Sequence, residues 1–308
     1  MRENRKCHDQ MLAHFAPGAH NAQNPRMAIA LALLSALVYG GADFAGGIAT
    51  KRSGPTLPVV VYSQLAGWVL VIGLIPLMPV AHPKPADFLW GLAGGVAGSA
   101  GLMFFYRGLA RGVMSVVSPV AAAVSAIVPM VFGLASGDSP AALAIVGAML
   151  GVVACGLLGS QPTASHHDTH DTRLRSFAGA TMAGVGFGGF FVLLHHTSSH
   201  AGLWPLFSAR LGSATLLTTI ALARRHPPRL ARPAVRMTII AGVFDMGANA
   251  LYLLATHRGL LSLVGVIAAL YPASTLVLAR TVLKERVSPL QFAALVLAGI
   301  SVSLIAVA

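Results

Sequence analysis

The chain has 308 residues, of which 56% are hydrophobic and only 10% charged, with a mean hydropathy of +0.74. Soluble domains carry roughly 25% charged residues, so this composition argues against a water-soluble enzyme. The 21 Lys and Arg against 9 Asp and Glu leave a net charge of +12; in so apolar a chain the excess marks basic loops facing anionic lipid, not a nucleic-acid surface.

Residues 1–26 are polar and lack the apolar core and small-residue cleavage site of a signal peptide, so they read as a tail. From Met27 onward, apolar stretches of about 20 residues alternate with short polar breaks, as a hydrocarbon core of about 30 Å requires. The expected spans are Met27–Ile48, Leu57–Met78, Asp87–Tyr106, Val113–Leu134 and Pro140–Leu158, then Phe177–His195, Leu203–Leu222, Ala234–Thr256, Leu260–Val282 and Pro289–Val307. The fold class is an all-α polytopic membrane protein of about ten transmembrane helices. Ser139-Pro140 and Ser288-Pro289 are read as helix starts, with Ser as the cap and Pro in the first turn. Pro119, Pro129 and Pro272 are expected to kink their helices, freeing carbonyls that could face a substrate. Glycine is abundant within the spans, chiefly to let helix backbones approach closely. Cys155 in an apolar run is read as a packing residue, and Cys7 lies in the tail.

The longest hydrophilic break, 160–176, divides the chain near its midpoint. Its tract Ser165-His166-His167-Asp168-Thr169-His170-Asp171 carries metal-ligating residue types, but without ordered spacing it reads as a solvated linker and no metal site is assigned. His195, His196 and His200, at the end of the sixth span, are treated the same way.

The two halves match at a constant offset of about 147 residues. Pro58 lies over Pro205, Gly95 over Gly242, Arg111-Gly112 over Arg258-Gly259, Ser115 over Ser262 and Asp138 over Glu285. Such self-similarity reads as a duplication. The units are 27–159 and 177–308, each of five helices. An odd number of crossings puts the two units in the bilayer in opposite senses, the inverted-repeat architecture of carriers that rock about a midplane site.

The segments Val38-Tyr39-Gly40-Gly41-Ala42-Asp43-Phe44, Ala209-Arg210, His257-Arg258-Gly259, Leu270-Tyr271-Pro272-Ala273-Ser274-Thr275 and Lys284-Glu285-Arg286-Val287-Ser288-Pro289-Leu290-Gln291 form a further set of signatures. Together they resemble the EamA family of the drug/metabolite transporter superfamily. The resemblance covers the chain after Met27, although Val128-Pro129 and Asp138 depart from the family pattern in the first copy. It implies a carrier of small solutes with both termini in the cytoplasm. The positive-inside rule implies the reverse, because that orientation would leave most Lys and Arg in exterior loops.

Ionisable groups inside a span are costly and therefore site candidates. Asp43 in the first span could titrate as a proton-coupling group or meet a cationic solute; Arg210 in the seventh could clamp a carboxylate or form an internal ion pair with Asp43 or Asp245. Asp245 and Asn249, at i and i+4 in the eighth span, share a face. Tyr39, Gln64, Trp68, Tyr106, Ser118, Ser125 and Tyr271 are further cavity candidates. Asp138 and Glu285 read as turn caps beside their Ser-Pro pairs.

The expected function is secondary transport by alternating access, with a small-molecule substrate, the lipid bilayer as surroundings and protons as a candidate coupling ion. Helices one to four and six to nine are expected to line the cavity, with the fifth and tenth peripheral. No ATP-binding loop, cofactor, metal or nucleic-acid partner is assigned, and no enzymatic activity. The expected location is the plasma (inner) membrane of a bacterium; the sequence specifies no oligomeric state. The alternatives are an intramembrane aspartyl protease using Asp43 and Asp245 as a proton-sharing pair, and a passive channel or scaffold.

Overall fold

The computed structural model describes residues 24–53, 56–77, 81–111, 114–159, 170–223, 229–284 and 287–308. These form the α-helices α1 (Pro25–Ser53), α2 (Thr56–Leu74), α3 (Pro85–Arg111), α4 (Met114–Ala135), α5 (Ala142–Leu158) and α6 (His170–His195) in the first part of the chain. They continue as α7 (Trp204–Ala223), α8 (Val235–Thr256), α9 (Leu261–Ala269), α10 (Tyr271–Val282) and α11 (Pro289–Val307), and no strand occurs among the described residues. Eight segments are long and apolar enough to cross a membrane, and Ala142–Leu158 is a shorter apolar helix. Leu37, Val69, Val131, Met149, Val153 and Phe292 are exposed on their flanks. Such apolar outer surface needs lipid to cover it, and the protein is an integral membrane protein.

Four features differ from expectation. The ninth expected span is two helices: the chain turns at Leu270 (φ −74°, ψ 6°), and Pro272 sits in the first turn of α10. Proline lacks the N–H that would continue the ladder, and neighbouring side chains tie the break to α1. Ser274 Oγ donates to the Ala36 carbonyl at 2.8 Å, and Thr275 Oγ1 to that of Gly40 at 3.3 Å. Second, Pro119 and Pro129 lie inside one continuous α4, so among the described residues a full break of the helix at proline, as distinct from a kink, occurs in the later copy alone. Third, Ser139 is not a cap: α5 begins with Ala141 as N-cap and no side-chain cap bond. Ser288 does cap α11, through a reciprocal capping box with Gln291. Fourth, α6 begins at His170, so part of the expected linker is helical; residues 160–169 lie outside the described residues.

The halves interlock. Helix α1 packs on α8 and α10, α6 on α3 and α4, α3 on α7, α2 on α8, α4 on α9, and α5 on α11. Glycine makes the closest crossings: a Cβ on Gly95 would lie 1.9 Å from the Ala209 carbonyl oxygen, and one on Gly242 would lie 2.1 Å from that of Ser63. No side chain fits there, so α3 meets α7 and α8 meets α2 backbone to backbone. The main core, including Leu194, Leu206, Tyr252, Leu253, Val264 and Ile267, fills the end of the bundle nearest the start of α1.

Candidate functional site

A cavity of about 1500 Å³ occupies the other end. Its wall takes Tyr39 and Asp43 from α1, Gln64 from α2, Ser118 and Ser125 from α4, Phe190 and Phe191 from α6, Arg210 from α7, Asp245 and Asn249 from α8, and Tyr271 from α10. The cavity extends from these residues toward Thr50, Arg107, Arg280 and Val287, near the ends of their segments. Both halves build it because their helices alternate around its axis.

Arg210 is the electrostatic centre of the wall. It is 7% exposed, and Nη2 pairs with Asp245 Oδ2 while Nη1 donates to Gln64 Oε1. Its Nε contacts Met246 Sδ at 3.4 Å, and Ser213 Oγ donates to Gln64 Oε1 at 3.1 Å. A lone guanidinium at this depth would be expensive; the carboxylate one helix away offsets that cost. Of the two partners the sequence allowed for Arg210, the fold selects Asp245.

Polar bonds continue from there to α1. Asn249 Nδ2 donates to the Asp245 carbonyl at 2.6 Å, and Tyr39 Oη donates to Asn249 Oδ1 at 2.9 Å. The Tyr39 ring lies 6.0 Å from Tyr271 and 6.2 Å from Phe191 between centroids. Asp43, one turn beyond Tyr39, is exposed to the cavity and has no hydrogen-bond or ion-pair partner among the described residues; its charged neighbour is Asp245. No hydrogen bond joins the two carboxyl groups, and Asp245 is held by Arg210, so the proton-sharing dyad of the protease alternative is not formed.

Eight of the nine main candidates thus line one cavity. The exception is Trp68, which packs against Phe207 with ring centroids 5.7 Å apart and lies outside the cavity wall. The side chain of Tyr106 lies outside the described residues. Leu158, Gly159 and Gln291 reach the cavity, so the ends of α5 and α11 contribute to a wall from which they were expected to be absent. Among the described residues, no group of three or more His, Cys, Asp or Glu could hold a metal ion.

The opposite end is closed by contacts that the sequence did not point to. Tyr252 is fully buried, stacks on Phe191 at 4.4 Å and donates its hydroxyl to the Phe191 carbonyl. Asp87, 2% exposed at the start of α3, accepts from the amides of Lys84 and Ser198 and from Ser198 Oγ. Asp138 does not cap its own turn: Oδ2 accepts from the Ser262 amide at 2.8 Å, capping α9 across the molecule. Gly133 leaves room for it, since a Cβ there would lie 2.4 Å from that oxygen. Glu285, its counterpart in the second copy, lies outside the described residues. The pairing of Asp87 with a loop 111 residues away has no sequence signature.

The EamA-like transporter family model matches residues 176–307. The resemblance read from Ala209-Arg210 and the closing motifs therefore holds over α7 to α11 and the larger part of α6. Members of that family are membrane transporters of small solutes. No curated protein matches the chain. A solved structure, described only as the crystal structure of a protein, is 15% identical and superposes with a TM-score of 0.72, covering 90% of this chain and 95% of that one. That likeness shows the fold alone.

Proposed function

We propose that the protein is a secondary carrier that moves small solutes by alternating access, built as two inverted five-helix units, 27–159 and 177–308. The observation that carries this reading is a cavity walled by both halves at one end of the bundle while the other end is closed by Phe191, Tyr252, Asp87 and Asp138. The helix contacts support the duplication. Shifted by the sequence offset, α1 on α8 becomes α6 on α3, α2 on α8 becomes α7 on α3, and α1 on α10 becomes α6 on α4. Such reciprocity is what an inverted repeat requires, and rocking of one unit against the other would close one end and open the other. Asp43, facing the cavity without a partner among the described residues, is our candidate for coupling to protons. A passive channel would need a continuous pore, and the buried core at the closed end disfavours it.

The test is flux into proteoliposomes containing the purified full chain, with a panel of cationic, anionic, zwitterionic and neutral aromatic solutes. Saturable, ATP-independent flux with counterflow is expected, with loss on replacing Asp43, Arg210 or Asp245. Flux that never saturates, or none for any solute in the panel, overturns the carrier reading. Unaltered transport in all three variants overturns the site.

A further inference from the structure

The charge balance at the cavity floor selects among solute classes. Among the described residues the basic side chain there is Arg210, and it is consumed by Asp245 and Gln64. Asn249 is likewise committed, its oxygen to Tyr39 and its amide to the Asp245 carbonyl. That leaves the Asp43 carboxylate, which meets no basic group among the described residues. Arg107 and Arg280 line the rim, near the ends of α3 and α10, and neither pairs with Asp43.

The second observation is aromatic. Tyr39 and Asp43 stand at i and i+4 on α1 and so present one face. Around Tyr39 gather Tyr271 and Phe191, with Phe190 5.9 Å from Phe191. Ring faces carry partial negative charge and attract cations, most strongly where water is excluded. A carboxylate one turn from an aromatic cluster, in a cavity whose wall also carries Phe, Leu and Ala side chains among neutral Ser, Thr and Gln, is complementary to a positive head on an apolar body. An anionic solute would meet Asp43 with no free basic group at the floor.

We infer that the cavity takes organic cations, ammonium compounds with an apolar or aromatic body, with the head held by Asp43 beside the Tyr39, Phe191 and Tyr271 rings. This deepens the carrier reading and rests on it, but it is tested by binding and so can fail separately. Three probes of similar bulk differ in charge: benzyltrimethylammonium, its neutral carbon isostere neopentylbenzene, and benzoate. Equilibrium dialysis of labelled benzyltrimethylammonium against the purified full chain should show saturable binding that neither other probe displaces. Asp43→Asn should weaken it by about tenfold or more, the loss expected for one contact to a charged group. Asp43→Glu should restore most of the affinity. Tyr39→Leu should weaken it by about three- to tenfold, as for loss of one ring from a cation site. The melting profile of each variant reports folding, and the Asp43→Glu and Tyr39→Leu results decide the matter if Asp43→Asn does not fold. Absence of ammonium binding, equal binding by Asp43→Asn, or displacement by benzoate would overturn the inference. Saturable flux of an anion that ignores Asp43→Asn would overturn it too and leave the carrier reading standing.

Discussion

Replacing Asp245 by Asn should destabilise the protein more than replacing Arg210 by Gln, although the two residues form one ion pair. The reason is the unequal burial of the partners: the Arg210 side chain is 8% exposed and that of Asp245 32%. Asp245→Asn leaves a buried guanidinium with a neutral acceptor, Gln64, a change in the range of about 3–5 kcal/mol seen when one partner of a buried pair is removed. Arg210→Gln leaves a carboxylate that opens on the cavity and its water, so the loss falls to about 1–3 kcal/mol. The double variant carries neither charge. Its effect should fall short of the sum of the single effects by at least about 1 kcal/mol, because the two residues are in contact. Reversible unfolding of the full chain in mixed micelles, titrated with SDS and followed by circular dichroism, measures all four corners of the cycle. The reasoning is refuted if Arg210→Gln proves the more damaging change, or if the single effects add within about 0.5 kcal/mol.

Four further outcomes are expected from the same unfolding assay. Gly95→Ala places a Cβ against the Ala209 carbonyl and should destabilise by about 1–3 kcal/mol, as overpacking does. Gly179→Ala meets nothing within 4 Å and should stabilise by about 0.4–1 kcal/mol through the unfolded chain; a loss there would contradict the open surroundings. Tyr252→Phe removes one buried hydrogen bond while keeping the stack on Phe191, so about 0.5–1.5 kcal/mol should be lost. Asp87→Ala frees three donors at the closed end and should cost about 1–3 kcal/mol. Hydrogen exchange should then accelerate at the Ser198 amide; unchanged protection would show that Asp87 does not hold that loop.

Hydropathy and punctuation placed the helices, though not all their ends nor the break at Leu270, because a bilayer demands long apolar segments whose backbone bonds are satisfied within themselves. The Ser288 cap was legible for a similar reason, since Ser, Pro and Gln lie within one turn and need no distant partner. The costly residues Asp43, Arg210 and Asp245 were legible as site candidates, because an ionisable group in a span carries its own warning. Their arrangement was not. Arg210 could have met either aspartate; packing of α7 on α3 and of α8 on α2, at distances that glycines such as Gly95 and Gly242 allow, brought Asp245 to it and left Asp43 without a partner among the described residues. Trp68 was misplaced because an aromatic in an apolar helix carries no mark of which neighbour its face will meet. Asp138 read as a local turn cap and Asp87 only as the start of a span, yet their bonds cross 124 and 111 residues of chain. Residues that act within one helical turn can be read in order along the chain. Residues whose partners arrive from another helix acquire their roles only when the halves pack.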